Sequence, residues 1–281
     1  MCRAAGVSRA GFYRDWKERE PQSEEMELRA RIQQIVVMHR GRYGYRRVQR
    51  DLRDQGWIVN HKRVARMMAE DSLLAVRRRK FIVTTESGHA LPVYRNLAAH
   101  LELTGIDQLW VADITYIRLR GEFLYLAVVL DAFSRRVVGW ALQDSLHAPL
   151  VLAALRNAIG ERNPPAGLVH HSDRGIQYAS QEYIALLEEH GIEPSMSRAG
   201  NPYDNAKCES FIKTLKQEEI YTRHYRDRAD LELHLAEFIE QYYNRRRLHS
   251  ALDYRSPERF EHSLVAPASQ LPALQMEFFE A

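Results

Sequence analysis

Asp113 sits inside the run LWVADITYI, with Val111, Ala112 and Ile114 around it. A carboxylate in so apolar a strand is costly to bury unless something pairs with it. Asp173 closes a second apolar run, GLVHHSD, and Glu209 follows 36 positions later in NAKCESFIKTLKQE. Any one acid is weak evidence, because the chain has 37 Asp and Glu and most acids are solvated surface. Two acids at one sheet edge are a different matter, since like charges raise each other's pKa unless cations stand between them. Hard Mg²⁺ suits carboxylate oxygens. Two such ions ~3.5 to 4 Å apart can clamp the attacking and leaving oxygens of a phosphodiester during in-line displacement. Asp113, Asp173 and Glu209 are therefore the candidate metal ligands and catalytic residues, for two Mg²⁺ ions with Mn²⁺ as a substitute.

The segment around Glu209 reads as a helix, with Pro202, Asp204 and Asn205 marking its start. Asn205, Ile212, Lys213 and Lys216 stand at −4, +3, +4 and +7 from Glu209, so an amide and two lysines share its face and could hold phosphate beside the acids. The plainer reading is an exposed Glu-to-Lys ladder that stabilises the helix by a few tenths of a kcal/mol. His170 and His171 precede Asp173, but a strand-end pair is more often packing or a supporting hydrogen bond, and they are left out of the ligand set. Arg245, Arg246 and Arg247 with Tyr242, Tyr243 and His249 form a basic and aromatic cluster suited to phosphate contact and base stacking, Arg246 being the candidate DNA contact. The two tyrosines could equally be core. No GxxxxGK or GxGxxG occurs, which argues against nucleotide hydrolysis as a driver.

These side chains need elements to place them. LWVADITYIR, FLYLAVVLDAF after the turn at Arg120 and Gly121, and RRVVGWAL read as three successive strands. A helical pattern follows from about 149 to 159, then the strand GLVHHSD, the helix SQEYIALLEEHG and the strand IEPSMS. Three strands without crossover helices exclude a doubly wound parallel sheet. The order predicts an α/β fold with a mixed five-stranded, ribonuclease-H-like sheet flanked by helices. NAKCESFIKTLKQEEI and ADLELHLAEFIEQYYN then read as two further helices.

Ahead of this block, Leu28, Ile32, Ile35 and Val36 have helical spacing, the turn GRYGYRR leads into VQRDLRDQG, and Asn60 caps HKRVARMMAED. The net charge of +3 hides an asymmetry: residues 28 to 80 carry 15 Lys and Arg against 4 Asp and Glu. A basic three-helix unit fits helix-turn-helix binding of a polyanion, with Arg46, Arg47, Lys62, Arg63 and Arg66 as candidate phosphate contacts. A small soluble bundle whose arginines face water is the alternative. The expected organisation is a small N-terminal helical region at 1–75, a basic linker at 76–103, the α/β core with its C-terminal helices at 104–262, and a tail at 263–281.

At 281 residues with 45% hydrophobic and 27% charged residues, the composition is that of an ordinary soluble protein. No apolar stretch approaches a membrane span and the start is too charged for a secretory signal, so the cytoplasm, with the nucleoid, is the expected location. Cys2 and Cys208 are too few and too far apart for a disulfide framework or a cysteine-rich zinc site.

LWVADITYI (109 to 117), HSDRGIQYAS (171 to 180), NPYDNAKCESFIKTLKQE (201 to 218) and YNRRRLHSALDYRSPERF (243 to 260) together resemble the successive hallmarks of bacterial insertion-sequence transposases with a retroviral-integrase-like core. Residues 28 to 80 resemble the helix-turn-helix segment that precedes that core. Carried over by position, the resemblance implies that Asp113, Asp173 and Glu209 are the family's DDE set and that Lys216 is its lysine that contacts the DNA end. It further implies metal-dependent cleavage at element ends and strand transfer, on double-stranded DNA carrying terminal inverted repeats and on target DNA, by a homo-oligomer. The chain resembles a downstream-frame product, with an upstream-frame partner or frameshift fusion supplying a further helix-turn-helix and a coiled coil. It departs from retroviral integrases in lacking the cysteines of their N-terminal zinc module, and from the family's HSDRGSQY in carrying Ile176. A non-catalytic DNA-binding regulator built on the same core, and a nuclease that performs no strand transfer, are the competing readings.

Overall fold

The computed structural model describes residues 23–73, 93–119, 121–198 and 205–265. The chain divides into two compact units, Met1–Val76 and Arg77–Ala281. In the first, three helices, α1 (Ser23–Met38), α2 (Tyr45–Asp54) and α3 (His61–Glu70), enclose one apolar centre. Leu28, Ile32 and Ile35 of α1 meet Val48 and Leu52 of α2 and Val64, Met67 and Met68 of α3, all buried. Asn60 caps α3 as expected, its Oδ1 accepting from the Lys62 N–H at 2.8 Å. Arg29 holds the ends of the unit together: its guanidinium reaches Glu25 on its own helix and Glu70 and Asp71 at the end of α3.

The second unit is built on the strands β1 (Leu109–Arg118), β2 (Phe123–Asp131), β3 (Val137–Gln143), β4 (Val169–Ser172) and β5 (Glu193–Met196), in the spatial order β3-β2-β1-β4-β5. The first three are antiparallel, while β4 and β5 run parallel to β1. This is the ribonuclease-H-like mixed sheet. β1 is hydrogen-bonded on both sides, so alternate side chains must enter opposite helix layers. Trp110 and Ala112 enter the layer of α4 (Ala148–Arg162) and α5 (Gln181–Glu189), packing with Leu150, Leu155 and Tyr183. Val111, Asp113 and Thr115 point the other way, to the side where α6 (Ala206–Glu218) lies against β1 and β2.

The C-terminal helices pin this arrangement. α7 (Arg228–Ala236) runs on into a π-helical turn, Glu237–Tyr243, and α8 spans Pro257–Val265. Asn244, just past the π turn, uses its amide as a strand would: Oδ1 accepts from the Val137 N–H at 3.0 Å and Nδ2 donates to the Val137 carbonyl at 2.9 Å. The edge of β3 is thereby partly covered, which blunts its tendency to pair with another chain. Buried Glu261 of α8 takes Arg136 and Arg162 as partners, docking this helix beside α4 and β3. The expected tail from 263 begins inside α8, and residues 266–281 lie outside the described ones. So does the expected linker up to residue 92; beyond it, a 3₁₀ turn at Ala98–His100 follows Leu97, whose N–H donates to Ser195 Oγ.

Gly139 sets the separation of β3 and α4, since a Cβ there would stand 2.3 Å from the Ala154 carbonyl oxygen and 2.7 Å from Ala158. Gly139→Ala is expected to destabilise the protein by about 1–3 kcal/mol through overpacking, read as a lower urea midpoint with an unchanged slope. Asn244→Ala is expected to cost a similar ~1–3 kcal/mol, because the Val137 backbone groups lose their partner.

Candidate active site

Asp113 lies at mid-strand in β1, opposite Val128 of β2. β4 pairs in parallel with β1 through Val111 and His171, so Asp173, two residues on and just past the strand, falls level with Asp113. The two carboxylates oppose each other's ionisation. Burial, then the charge of Asp173, push the Asp113 carboxyl up to about 8; Glu209 adds a smaller push, while the Ile114 N–H at 2.8 Å and the charge of Lys216 act against it. Glu209 stands exposed in the first turn of α6, its own pKa raised by partial desolvation against neighbouring parts of the chain. Among the described residues no three His, Cys, Asp or Glu side chains gather into a finished cation cage. What converges is an acid pair, with Glu209 beside it. The donor chemistry of the pair, hard oxygen ligands whose mutual repulsion a cation would relieve, fits a divalent ion.

Asp173 is positioned by a tight turn at Gly175, where an added side chain would press on the carboxylate itself. The Gly175 N–H donates to Asp173 Oδ1 at 2.9 Å, and a Cβ on Gly175 would stand 2.9 Å from that oxygen and 3.0 Å from Gln177 Oε1. The spacing DRG is visible in the sequence, but its role depends on the folded turn. His170 and His171 support the strand from within. His170 Nε2 meets Tyr183 Oη at 3.0 Å, and His171 sits between Ser195 Oγ at 2.8 Å and Ser197 Oγ at 2.9 Å. Burial pulls His170 down to about 3, so it is a neutral packing residue.

The face of α6 read from spacing is graded in exposure. Glu209 and Lys213 are exposed, Ile212 and Lys216 half-buried, and Asn205 buried. Asn205 is buried, and its Nδ2 donates to the Ala112 carbonyl at 2.9 Å, which fixes the start of α6 against β1. Pro202 and Asp204 lie outside the described residues. Lys216 spreads its ammonium over the Tyr116 ring, 4.8 Å from the centroid, near enough to Asp113 for their charges to interact.

The basic and aromatic cluster after α7 also divides. Tyr242 and Tyr243 are core, the latter edge-on to Phe211 of α6 with centroids 4.7 Å apart. Arg247 is buried and forks onto Glu218, with Nε to Oε2 at 2.9 Å and Nη2 to Oε1 at 2.7 Å. It anchors the far end of α6 rather than a phosphate. Glu218 is 29 residues away, so no local spacing announces the pair. Arg246 remains exposed. In the helical unit Arg46, Lys62 and Arg66 are exposed. Arg47 is half-buried over the Tyr43 ring, Arg63 faces Glu24 at 3.7 Å and Arg66 faces Glu70 at 3.6 Å.

This geometry agrees with what the chain resembles. Integrase core domain families match residues 104–202 and 190–257, and an HTH-like domain family matches 23–81. An insertion element IS600 protein of 31 kDa from Shigella sonnei is 41% identical over 274 residues, 95% of this chain and 100% of its own length. The chain belongs to the insertion-sequence transposases with an integrase core. The transposase InsF of insertion sequence IS3A from Escherichia coli is 38% identical over 271 residues, covering 95% of this chain and 94% of InsF. The transposase of element IS904 from Lactococcus lactis is 39% identical over 247 residues, covering 86% and 98%. DNA transposition is thus the function to which the core and the helix-turn-helix-like unit belong. No helix among the described residues is long and apolar enough to cross a membrane.

Asp113 ties stability to pH with a definite sign. Its carboxyl is raised in the folded state, so its contribution is fully present below about pH 3.8 and is lost as the pH climbs toward about 8. In metal-free buffer the wild type is expected to lose melting temperature between pH 5 and 8. Asp113→Asn should lose less, ending about 1–3 kcal/mol more stable than the wild type at pH 8. Added Mg²⁺ should raise the melting temperature of the wild type but not of the variant. Gly175→Ala is expected to keep the fold while lowering turnover at least ~10-fold, because Asp173 is displaced.

Proposed function

We propose that this transposase cuts DNA strands at the ends of its element and joins them to target DNA, with Asp113, Asp173 and Glu209 as the catalytic acids. The observation that carries this reading is the Asp113 to Asp173 pair, one carboxylate on β1 and one just past the end of adjoining β4, which resist being ionised together. Such a pair is costly in a resting protein and useful where a cation and a phosphodiester enter between the acids. Asp113 and Asp173 would hold divalent metal with Glu209 completing the shell, two Mg²⁺ ions or Mn²⁺ in their place. When bound, these ions would activate water and stabilise the departing 3′ oxygen.

The remaining steps belong to the chain. Asp113 supplies fixed oxygens on a rigid strand, and Asp173 is held by the Gly175 turn, so neither has to reorganise as charge develops. Lys213 and Lys216 place positive charge beside Glu209, where the DNA end would lie. The 3′ hydroxyl set free by cleavage would then attack a second phosphodiester in the same place, because the site needs only an oxygen nucleophile and a phosphate. The helical unit would bind the terminal inverted repeats through Arg46, Arg47, Lys62, Arg63 and Arg66, with Arg246 contributing from the core. We place the reaction in the cytoplasm, at the nucleoid, in a homo-oligomer with the upstream-frame segment as partner or fusion.

The test uses labelled duplex carrying the element's ends with Mg²⁺. The wild type should yield nicked and then joined products. Asp113→Asn should lose both by at least ~10³-fold while its DNA affinity stays within about twofold. Metal-dependent cleavage retained by that variant would falsify the assignment; cleavage by the wild type without joining would reduce the reading to a nuclease, and binding without either to a regulator.

A further inference from the structure

Past Asp113, toward the turn that joins β1 to β2, rings and cations follow one another in a row. The strand register sets Arg118 opposite Phe123 and Tyr116 opposite Tyr125, and alternation puts all four on one face of the hairpin. The Tyr116 and Phe123 rings meet edge to face with centroids 5.8 Å apart, and the Arg118 guanidinium lies 5.8 Å from the Phe123 centroid. Lys216 of α6 completes the row with its ammonium 4.8 Å from the Tyr116 centroid. The order is ammonium, ring, ring, guanidinium.

A cluster that only fastened the hairpin would stabilise it by about 0.2–1 kcal/mol per cross-strand pair and would need no open ring. Phe123 stays 48% exposed even with Tyr116 and Arg118 against it. The cations are open in the same sense. Among the described residues neither Arg118 nor Lys216 forms an ion pair, whereas Arg136, Arg162 and Arg247 each face a carboxylate. A cation held on a ring rather than by an acid keeps its charge for an anion.

Two elements lead from the acids to this row over similar distances. Tyr116 is three residues beyond Asp113 on β1, about 10 Å along a strand. Lys216 is seven residues beyond Glu209 on α6, about 10 Å along a helix. β4 accompanies β1 only as far as Val111, so the Tyr116 ring and α6 meet with no strand between them. The row is thus continuous with the acid site and lies to one side of it.

We propose that Tyr116, Arg118, Phe123 and Lys216 form a stacking site for one unpaired base of the DNA end, within about three nucleotides of the reacting phosphodiester. The open Phe123 ring receives the base, and the two cations take the flanking phosphates. A base reaches the ring only after leaving its pair, so the site favours an end whose pairs open easily. This goes beyond a phosphate contact by Lys216 alone and rests on the reading that the acids cut DNA at element ends.

The test is equilibrium binding of the full-length protein, without divalent metal, to duplex carrying the element's end. Abasic sites are placed one at a time at the three nucleotides on either side of the junction between element and flanking DNA, on each strand. One such site should weaken the wild type about fivefold or more and leave Phe123→Leu unaffected, because the ring on which the base stacks is gone. Mispairing the same nucleotide should strengthen binding by the wild type and not by the variant. Phe123→Thr, which suits an exposed strand position, supplies a second ringless variant, and Phe123→Trp should restore the wild-type response. An equal loss from base removal in the wild type and in both ringless variants would overturn the site, as would the absence of any position at which base removal weakens the wild type. A wild type that shows the base-dependent loss but does not cleave in Mg²⁺ overturns the catalytic reading alone.

Discussion

An acid in the middle of a central strand constrains everything around it. β1 has neighbours on both sides and helices on both faces, so the Asp113 carboxylate can neither reach bulk water freely nor be covered by apolar packing. The parallel pairing of β4 brings a second acid level with it, the start of α6 adds a third nearby, and the ammonium of Lys216 stands at partial distance. No arginine neutralises Asp113 among the described residues, in contrast to Glu218 and Glu261, which are bound by guanidinium groups. The acids that hold the fold together are paired internally; the acids of the site are set against one another.

That contrast explains why the C-terminal segment matters to a site it does not contain. α6 carries Glu209, Lys213 and Lys216, and a helix of thirteen residues has no fixed position of its own. It is fastened at its beginning by Asn205 to the backbone of β1, along its length by Phe211 against Tyr243, and at its end by Glu218 to Arg247. Asn244 and Glu261 fasten the segment after Tyr243 to β3 and α4 in turn. The orientation of the site residues is therefore inherited from packing tens of residues downstream.

Much of this was legible in the amino-acid order. Apolar strand-like runs bounded by turn residues marked β1, β2 and β3, the absence of crossover helices between them excluded a parallel sheet, and the asparagine before HKRVARMMAED marked the start of α3. These are local signals, written in consecutive residues. The basic arginine run after α7 was misleading for the same reason: its composition resembles a phosphate site, but Arg247 turns inward to Glu218 and only Arg245 and Arg246 stay exposed. Asn205 shows the same limit of local spacing. Helical spacing placed it with Glu209, and the fold adds a bond that spacing does not show, from its Nδ2 to the Ala112 carbonyl.

The sequence by itself determined the five strands, their order, most of the helices and the three acids worth watching, because periodicity, capping and an acid in an apolar run are properties of neighbouring residues; the helix α8 was not among them. Only the tertiary structure decided which of those residues meet. The level of Asp113 with Asp173 depends on the register between β1 and β4, the setting of Asp173 on the space above Gly175, and the fate of each arginine on whether a carboxylate distant in sequence arrives beside it. Register, close approach and long-range pairing arise between segments, and no window of the chain contains both partners.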